Sequence, residues 1–161
     1  MALDEYSADL RKALDGLTPQ ERRFQPGPDS HHIDFTIWHM ARVEDNWVLR
    51  FGRQAETVWE RDGWAQRLGL PEQGSGFGYT AEQVTGLPDF DLDLLTEYAD
   101  SVRAATLDFL DSLSQEDLDR CPDPKRPENS IGRMLSHVIV EESQHVGQIA
   151  YIRGIQRGIN K

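Results

Sequence analysis

Two histidines and a glutamate stand in this sequence where apolar residues belong. Phe35, Val43 and Trp47 mark one helical stripe, and His39 lies near its centre. Ile131, Val138, His145 and Ile152 follow a seven-residue step, and at ~100° per residue His145 stays within about 20–25° of that stripe's mean direction. Two adjacent carboxylates, Glu141 and Glu142, interrupt the second stripe. A carboxylate taken out of water requires a cationic partner or a metal, and a buried imidazole requires partners for its ring nitrogens. A divalent ion held between facing helices would satisfy all of them. Two histidines and one carboxylate leave a fourth position for water or substrate, the ligand set of a catalytic zinc site. The same donors suit nickel or ferrous iron.

Spacing leaves the glutamate open. Glu141 is four before His145 and Glu142 three before it, and both spacings place side chains on one side of a helix. Glu142 lies nearer the stripe centre. His137 is eight from His145, about 12 Å along the axis, and points roughly 100° off the stripe. Gln148, three after His145, and Asn46, seven after His39, could orient an imidazole or a bound water. Arg42, three after His39, could receive an anionic group, but is expected as a surface arginine paired with an acid. His31 and His32 precede the second stripe and are expected in solvent, with His32 able to line the mouth of the site. Trp38, Trp47, Trp59 and Trp64 are expected in core packing or along an apolar cleft. Cys121 sits in a loop remote from these residues and is assigned no catalytic role.

Four proline-free helical stripes must position this chemistry. The first is Leu3, Tyr6, Leu10, Leu14 and Leu17, and the second runs from Phe35 to Arg50. The third runs from Leu92 to Leu113, and the fourth from Ile131 to Ile152. Ser30 or Asp34 can cap the second helix, and Asn129 or Ser130 the fourth. Gly154 and Gly158 loosen the end of the fourth. Thr18 with Glu21, and Ser114 with Asp117, form matching capped turns within a faint internal repeat. A long stretch from about Arg53 to Gly86, with one short helix around Val58 to Leu68, separates the halves. The expected architecture is all-α, a four-helix bundle with a long crossover between helices 2 and 3, forming a single domain over residues 1–161.

The 161 residues carry 17 Lys and Arg against 28 Asp and Glu, a net charge of −11. That balance argues against nucleic acid, whose phosphates need a basic face, and against anionic membrane surfaces. A lone cysteine allows no intrachain disulfide. The opening MALDEYSADLRKAL lacks the basic and apolar regions of a signal peptide. No apolar run approaches the ~20 residues of a membrane span. A cytoplasmic location is expected, and extra aromatics could bury a homodimer face.

The segment Ile37-Trp38-His39-Met40-Ala41-Arg42-Val43-Glu44-Asp45, with Trp47, resembles the second helix of DinB-like (DNA-damage-inducible) proteins. Leu135-Ser136-His137-Val138-Ile139-Val140-Glu141-Glu142-Ser143-Gln144-His145-Val146-Gly147-Gln148-Ile149 resembles their fourth. The resemblance extends over nearly the whole chain. It implies a four-helix bundle with a metal, zinc or nickel foremost, held by His39, Glu141 and His145. Glu141 stands where many members have histidine, which is similar to the mycothiol-dependent maleylpyruvate isomerase branch. Val146 stands where many have arginine, which removes an anchor for a substrate anion.

Related mycothiol and bacillithiol S-transferases imply a reaction in which the metal activates a small thiol toward an electrophilic small molecule. A free thiol has a pKa of ~8.5, and a coordinating cation deprotonates it. Two other classes remain open. One is a metal-dependent hydrolase with Glu142 or His137 as base. The other is a non-enzymatic, stress-linked bundle whose structural metal is closed by His32 or His137.

Overall fold

The four apolar stripes become the four long helices of a computed structural model that describes residues 2–158. Helix α1 spans Ala2–Leu14, α2 Pro19–Arg22, α3 Ile33–Glu44, α4 Val58–Arg61 and α5 Trp64–Leu68. Then come α6 Ala81–Thr85, α7 Leu92–Asp111 and α8 Ile131–Arg157. A π-helical stretch, Asp45–Arg53, prolongs α3, and a 3-10 turn, Glu116–Asp119, precedes α8. No strand occurs among the described residues. Helix α3 packs against both α7 and α8, and α1 packs against α8. The fold is thus the all-α bundle with a long crossover, which carries α4, α5 and α6.

Core packing follows the stripes. Ile33, Ile37, Leu95, Tyr98, Val102, Ile131, Val138 and Ile149 are essentially inaccessible. The crossover is anchored by aromatics, with Trp59 and Trp64 each 5.3 Å from Tyr98 of α7. The single short helix expected around Val58 to Leu68 is broken by Gly63, whose φ of 65° interrupts the winding and splits α4 from α5. The paired turns form as expected. The Thr18 hydroxyl accepts from Glu21 N–H while the Glu21 carboxylate accepts from Thr18 N–H. Ser114 and Asp117 make the same exchange.

The start of α3 departs from the sequence reading. Its cap is neither Ser30 nor Asp34 but His32, whose extended backbone lets Nδ1 accept from Phe35 N–H at 3.0 Å. Asp34 lies inside the first turn and instead accepts from buried Arg22 at 2.7 Å. His32, expected in solvent, is therefore in the core at 1% exposure. Ser130 caps α8. Gly154 stays within α8, and only Gly158, at φ 87°, ends it.

The other ring nitrogen of His32, Nε2, lies 2.8 Å from Arg23 Nη1 and 3.3 Å from the Val84 carbonyl oxygen. Burial, and then the Arg23 guanidinium, lower its pKa from 6.5 to about 4. The unfolded chain therefore binds the extra proton first. This contribution to stability is present above pH 6.5 and is lost as pH falls toward 4, on the order of 3 kcal/mol in all. His32→Asn keeps a capping side chain without a titrating ring. Its Tm deficit relative to wild type is expected to shrink between pH 7 and pH 5, measured by thermal melts in matched buffers.

Candidate metal centre

His39 comes from the buried α3, and Glu141 and His145 from successive turns of α8, which packs on it. One donor atom from each lies within 4.8 Å of the others. The two imidazoles stand nearly perpendicular, 5.1 Å apart. His39 is buried, whereas Glu141 and His145 are half-buried, so the centre opens on one side.

Each imidazole is held in one tautomer. His39 Nδ1 donates to the Ser75 carbonyl at 2.5 Å, and His145 Nδ1 donates to Gln148 Oε1 at 2.8 Å. Nε2 of both rings is left as the lone-pair donor. Metal-ligating histidines are oriented by such a bond on the far nitrogen. Burial lowers the pKa of His39, against the opposing effects of Ser75 and Glu141, which favours the neutral ring a cation needs.

The crossover supplies the Ser75 carbonyl by close backbone approach. A Cβ on Gly76, at φ +87°, would come within 2.9 Å of the Phe35 ring and 3.1 Å of His39 Nδ1. Phe35 stacks parallel on His39 at 5.7 Å. One residue before Ser75, the Gly74 carbonyl accepts from Arg42 Nε at 3.1 Å.

The remaining candidates fall elsewhere. Arg42 is no surface arginine but is buried, stacked over Trp59 at 4.4 Å and 3.7 Å from Asp45. It fastens the crossover and has no freedom to receive an anion. Asn46 accepts from Arg50 at 3.2 Å, because seven residues carry it about 10 Å along the helix from His39. His137 packs on Trp47 at 4.4 Å. His32 is the α3 cap. Trp38, Trp59 and Trp64 are core, and Trp47 is half-buried. Cys121 Sγ faces the Pro127 carbonyl at 3.0 Å, within its own loop.

Glu142 turns away from the centre into the bundle. It is 3% exposed and lines a small cavity of about 50 Å³ with Tyr6, Met40, Glu44 and Arg103. Arg103 forks onto both oxygens of Glu44. Glu142 Oε1 has no partner. Burial, then the neighbouring Glu44 charge, push the Glu142 pKa well up, so it sits in the core as a neutral acid. Sequence reasoning missed Glu44, Asp45 and Arg103, although two acids inside an apolar stripe were visible. The Ser75 carbonyl carries no side-chain signal at all.

A family model of the DinB superfamily matches residues 2–149. The chain belongs to the DinB superfamily. A solved structure of a conserved protein from Enterococcus faecalis superposes with a TM-score of 0.85 at 23% identity, covering 96% of this chain and 92% of that one. That likeness extends to the fold. No curated protein gives a significant match. The DinB superfamily is metal-binding, and among the described residues His39, Glu141 and His145 form a group that could hold an ion.

Three substitutions test the arrangement. Glu141→Gln is expected to lower zinc affinity by more than about 100-fold, while Glu142→Gln stays within about threefold of wild type, by competition titration with a chromophoric chelator. Gly76→Ala is expected to destabilise the fold by about 1–3 kcal/mol, read by denaturant unfolding. It should also weaken zinc binding about tenfold by displacing the Ser75 carbonyl.

Proposed function

We propose that this DinB-superfamily member is a divalent-metal enzyme, with zinc or nickel at His39, Glu141 and His145, that transfers or isomerises through a low-molecular-weight thiol of the mycothiol or bacillithiol class. The observation that carries this reading is the three-donor centre itself. Its histidines are both fixed through Nδ1, and among the described residues no fourth His, Cys, Asp or Glu joins the 4.8 Å cluster. A divalent cation bound there would stabilise the thiolate form of a thiol that is mostly protonated when free.

The chain's own residues divide the remaining work. His39 and His145 present lone pairs, and Ser75 and Gln148 keep those rings from turning. Glu141 offsets positive charge at the centre. The Gly74–Gly76 strap covers the His39 side and keeps water from that ring. Arg42 is buried and committed to the Gly74 carbonyl, so it is not free to receive an anionic electrophile. A reduced cytoplasmic thiol pool suits this chemistry.

The competing readings lose the residues they need. Hydrolysis requires a base beside a bound water, yet Glu142 faces the opposite cavity and His137 packs on Trp47. A closed structural site requires a fourth ligand, yet His32 caps α3.

Elemental analysis of untagged protein is expected to give about one divalent ion per chain, lost in His39→Ala. The metal-loaded protein should couple a small thiol to an activated aryl halide, and the apo-protein should not. Ester cleavage without thiol would instead establish the hydrolase. Absence of metal after reconstitution with zinc or nickel would end both enzymatic readings.

A further inference from the structure

Glu142 is a buried acid that the metal centre does not use. It is 3% exposed, and its Oε1 has no hydrogen-bonding partner among the described residues. A buried oxygen left without a donor is destabilising. Helix α8 presents this carboxyl to a cavity of about 50 Å³ whose other walls come from α1, α3 and α7. At ~10–15 Å³ for each water-sized group, that is room for about three to five heavy atoms.

The side chains around it decide what fits. Glu44 lines the same cavity and is already satisfied, by Arg103 Nε and Nη2 and by the Tyr6 hydroxyl at 3.3 Å. Arg103 Nη1 donates to the Leu3 carbonyl at 3.0 Å. Arg11, on the exposed side, pairs with Asp100 at 3.1 Å. Both arginines of the cavity are thus engaged, which disfavours an anionic ligand. The polar atom left to a ligand is an acceptor, Glu142 Oε1. Leu10, Met40 and Ala99 line the cavity with apolar surface. The complement is an N–H donor on a short apolar tail. A cationic donor suits best, because two carboxyls face one buried guanidinium and charge-assisted hydrogen bonds are the stronger kind.

We propose that this cavity is a binding site for a small primary amine, whose ammonium group donates to Glu142 Oε1 and whose alkyl carbons rest against Leu10, Met40 and Ala99. The site is separate from the metal centre. Glu141 and Glu142 leave α8 about 100° apart, and none of His39, Glu141 and His145 lines the cavity. Amine binding and metal binding are therefore measured independently.

The test titrates ethylamine into full-length protein carrying carbon-13 in its methionine methyl groups, at constant pH and ionic strength. Met40 lines the cavity, whereas Met134 packs beside Gly52 and serves as the control. The Met40 methyl resonance is expected to shift and saturate while that of Met134 stays fixed. Ethanol should bind about tenfold more weakly, having no charge to assist its hydrogen bond. Acetate, with the wrong charge, and cyclohexylamine, too large, should give no saturable shift. Ala99→Leu fills the cavity without touching Glu142, and Glu142→Gln keeps the shape and removes the acid. Each should weaken ethylamine binding about tenfold or more, with folding checked by Tm. The Ala99→Leu result decides by itself if Glu142→Gln does not fold.

A Met40 resonance that does not respond to ethylamine would overturn the proposal. So would equal binding of ethanol or acetate, or a Met134 shift that tracks that of Met40. Unchanged ethylamine affinity in Ala99→Leu, or in folded Glu142→Gln, would place the amine elsewhere and overturn it as well.

Discussion

Every residue of α3 from Ile33 to Glu44 is buried, yet the helix carries Asp34, His39, Arg42 and Glu44, and Asp45 follows at once. A charge removed from water must be paired. Much of the surrounding architecture consists of the partners that this requirement calls in. Arg22 answers Asp34, Arg103 answers Glu44, and Gly74 with Asp45 answers Arg42. Asp45 accepts from the Val58 and Trp59 N–H groups, which fixes the start of α4, and from the Tyr98 hydroxyl on α7. His39 differs from the others. The protein satisfies one of its nitrogens and directs the other toward two more donors. That second nitrogen, with Glu141 and His145, belongs to a group that could hold an ion.

The crossover is therefore part of the centre. Its Gly-rich turn brings backbone, not side chains, to α3. The Ser75 carbonyl fixes the His39 tautomer and the Gly74 carbonyl holds Arg42. Trp59, Trp64 and the Asp45 cap of α4 anchor the rest of the segment. Glycine at 76 is required by contact as well as by φ, since any side chain would collide with the ring stack being stabilised. An ion held at His39 would be coupled to the order of this long connection through the Ser75 hydrogen bond.

The legible parts of the sequence were those governed by period. Helix positions followed from the stripes, and the presence of His39 and His145 in them marked the centre. Period also placed Glu142 nearer the stripe centre than Glu141. That reading was sound for burial: Glu142 is the core residue, and Glu141, at the stripe's edge, is the one beside His145. What period could not supply was which neighbour each side chain meets. Arg42 looked like surface because an arginine in an apolar helix is rare, and its stacking on Trp59 depends on a fold-back of the chain. His32 looked exposed because its capping role depends on Nδ1 and an extended backbone. The family resemblance favoured Glu141 before any geometry was known.

The adjacent pair Glu141 and Glu142 shows how one helix separates two chemistries. A one-residue step turns a side chain by about 100°. Glu141 therefore reaches the half-open side and Glu142 the cavity shared with Glu44 and Arg103. Arg103 is already forked onto Glu44, so ionising Glu142 would put a second anion beside one cation in a region of low dielectric. Burial and Glu44 together hold the Glu142 proton on. Glu141 is then the only α8 carboxylate that brings negative charge to the centre. Two neutral imidazoles and that single anion would leave a bound divalent ion with about one net positive charge, enough to favour an anionic fourth ligand such as a thiolate over a neutral thiol.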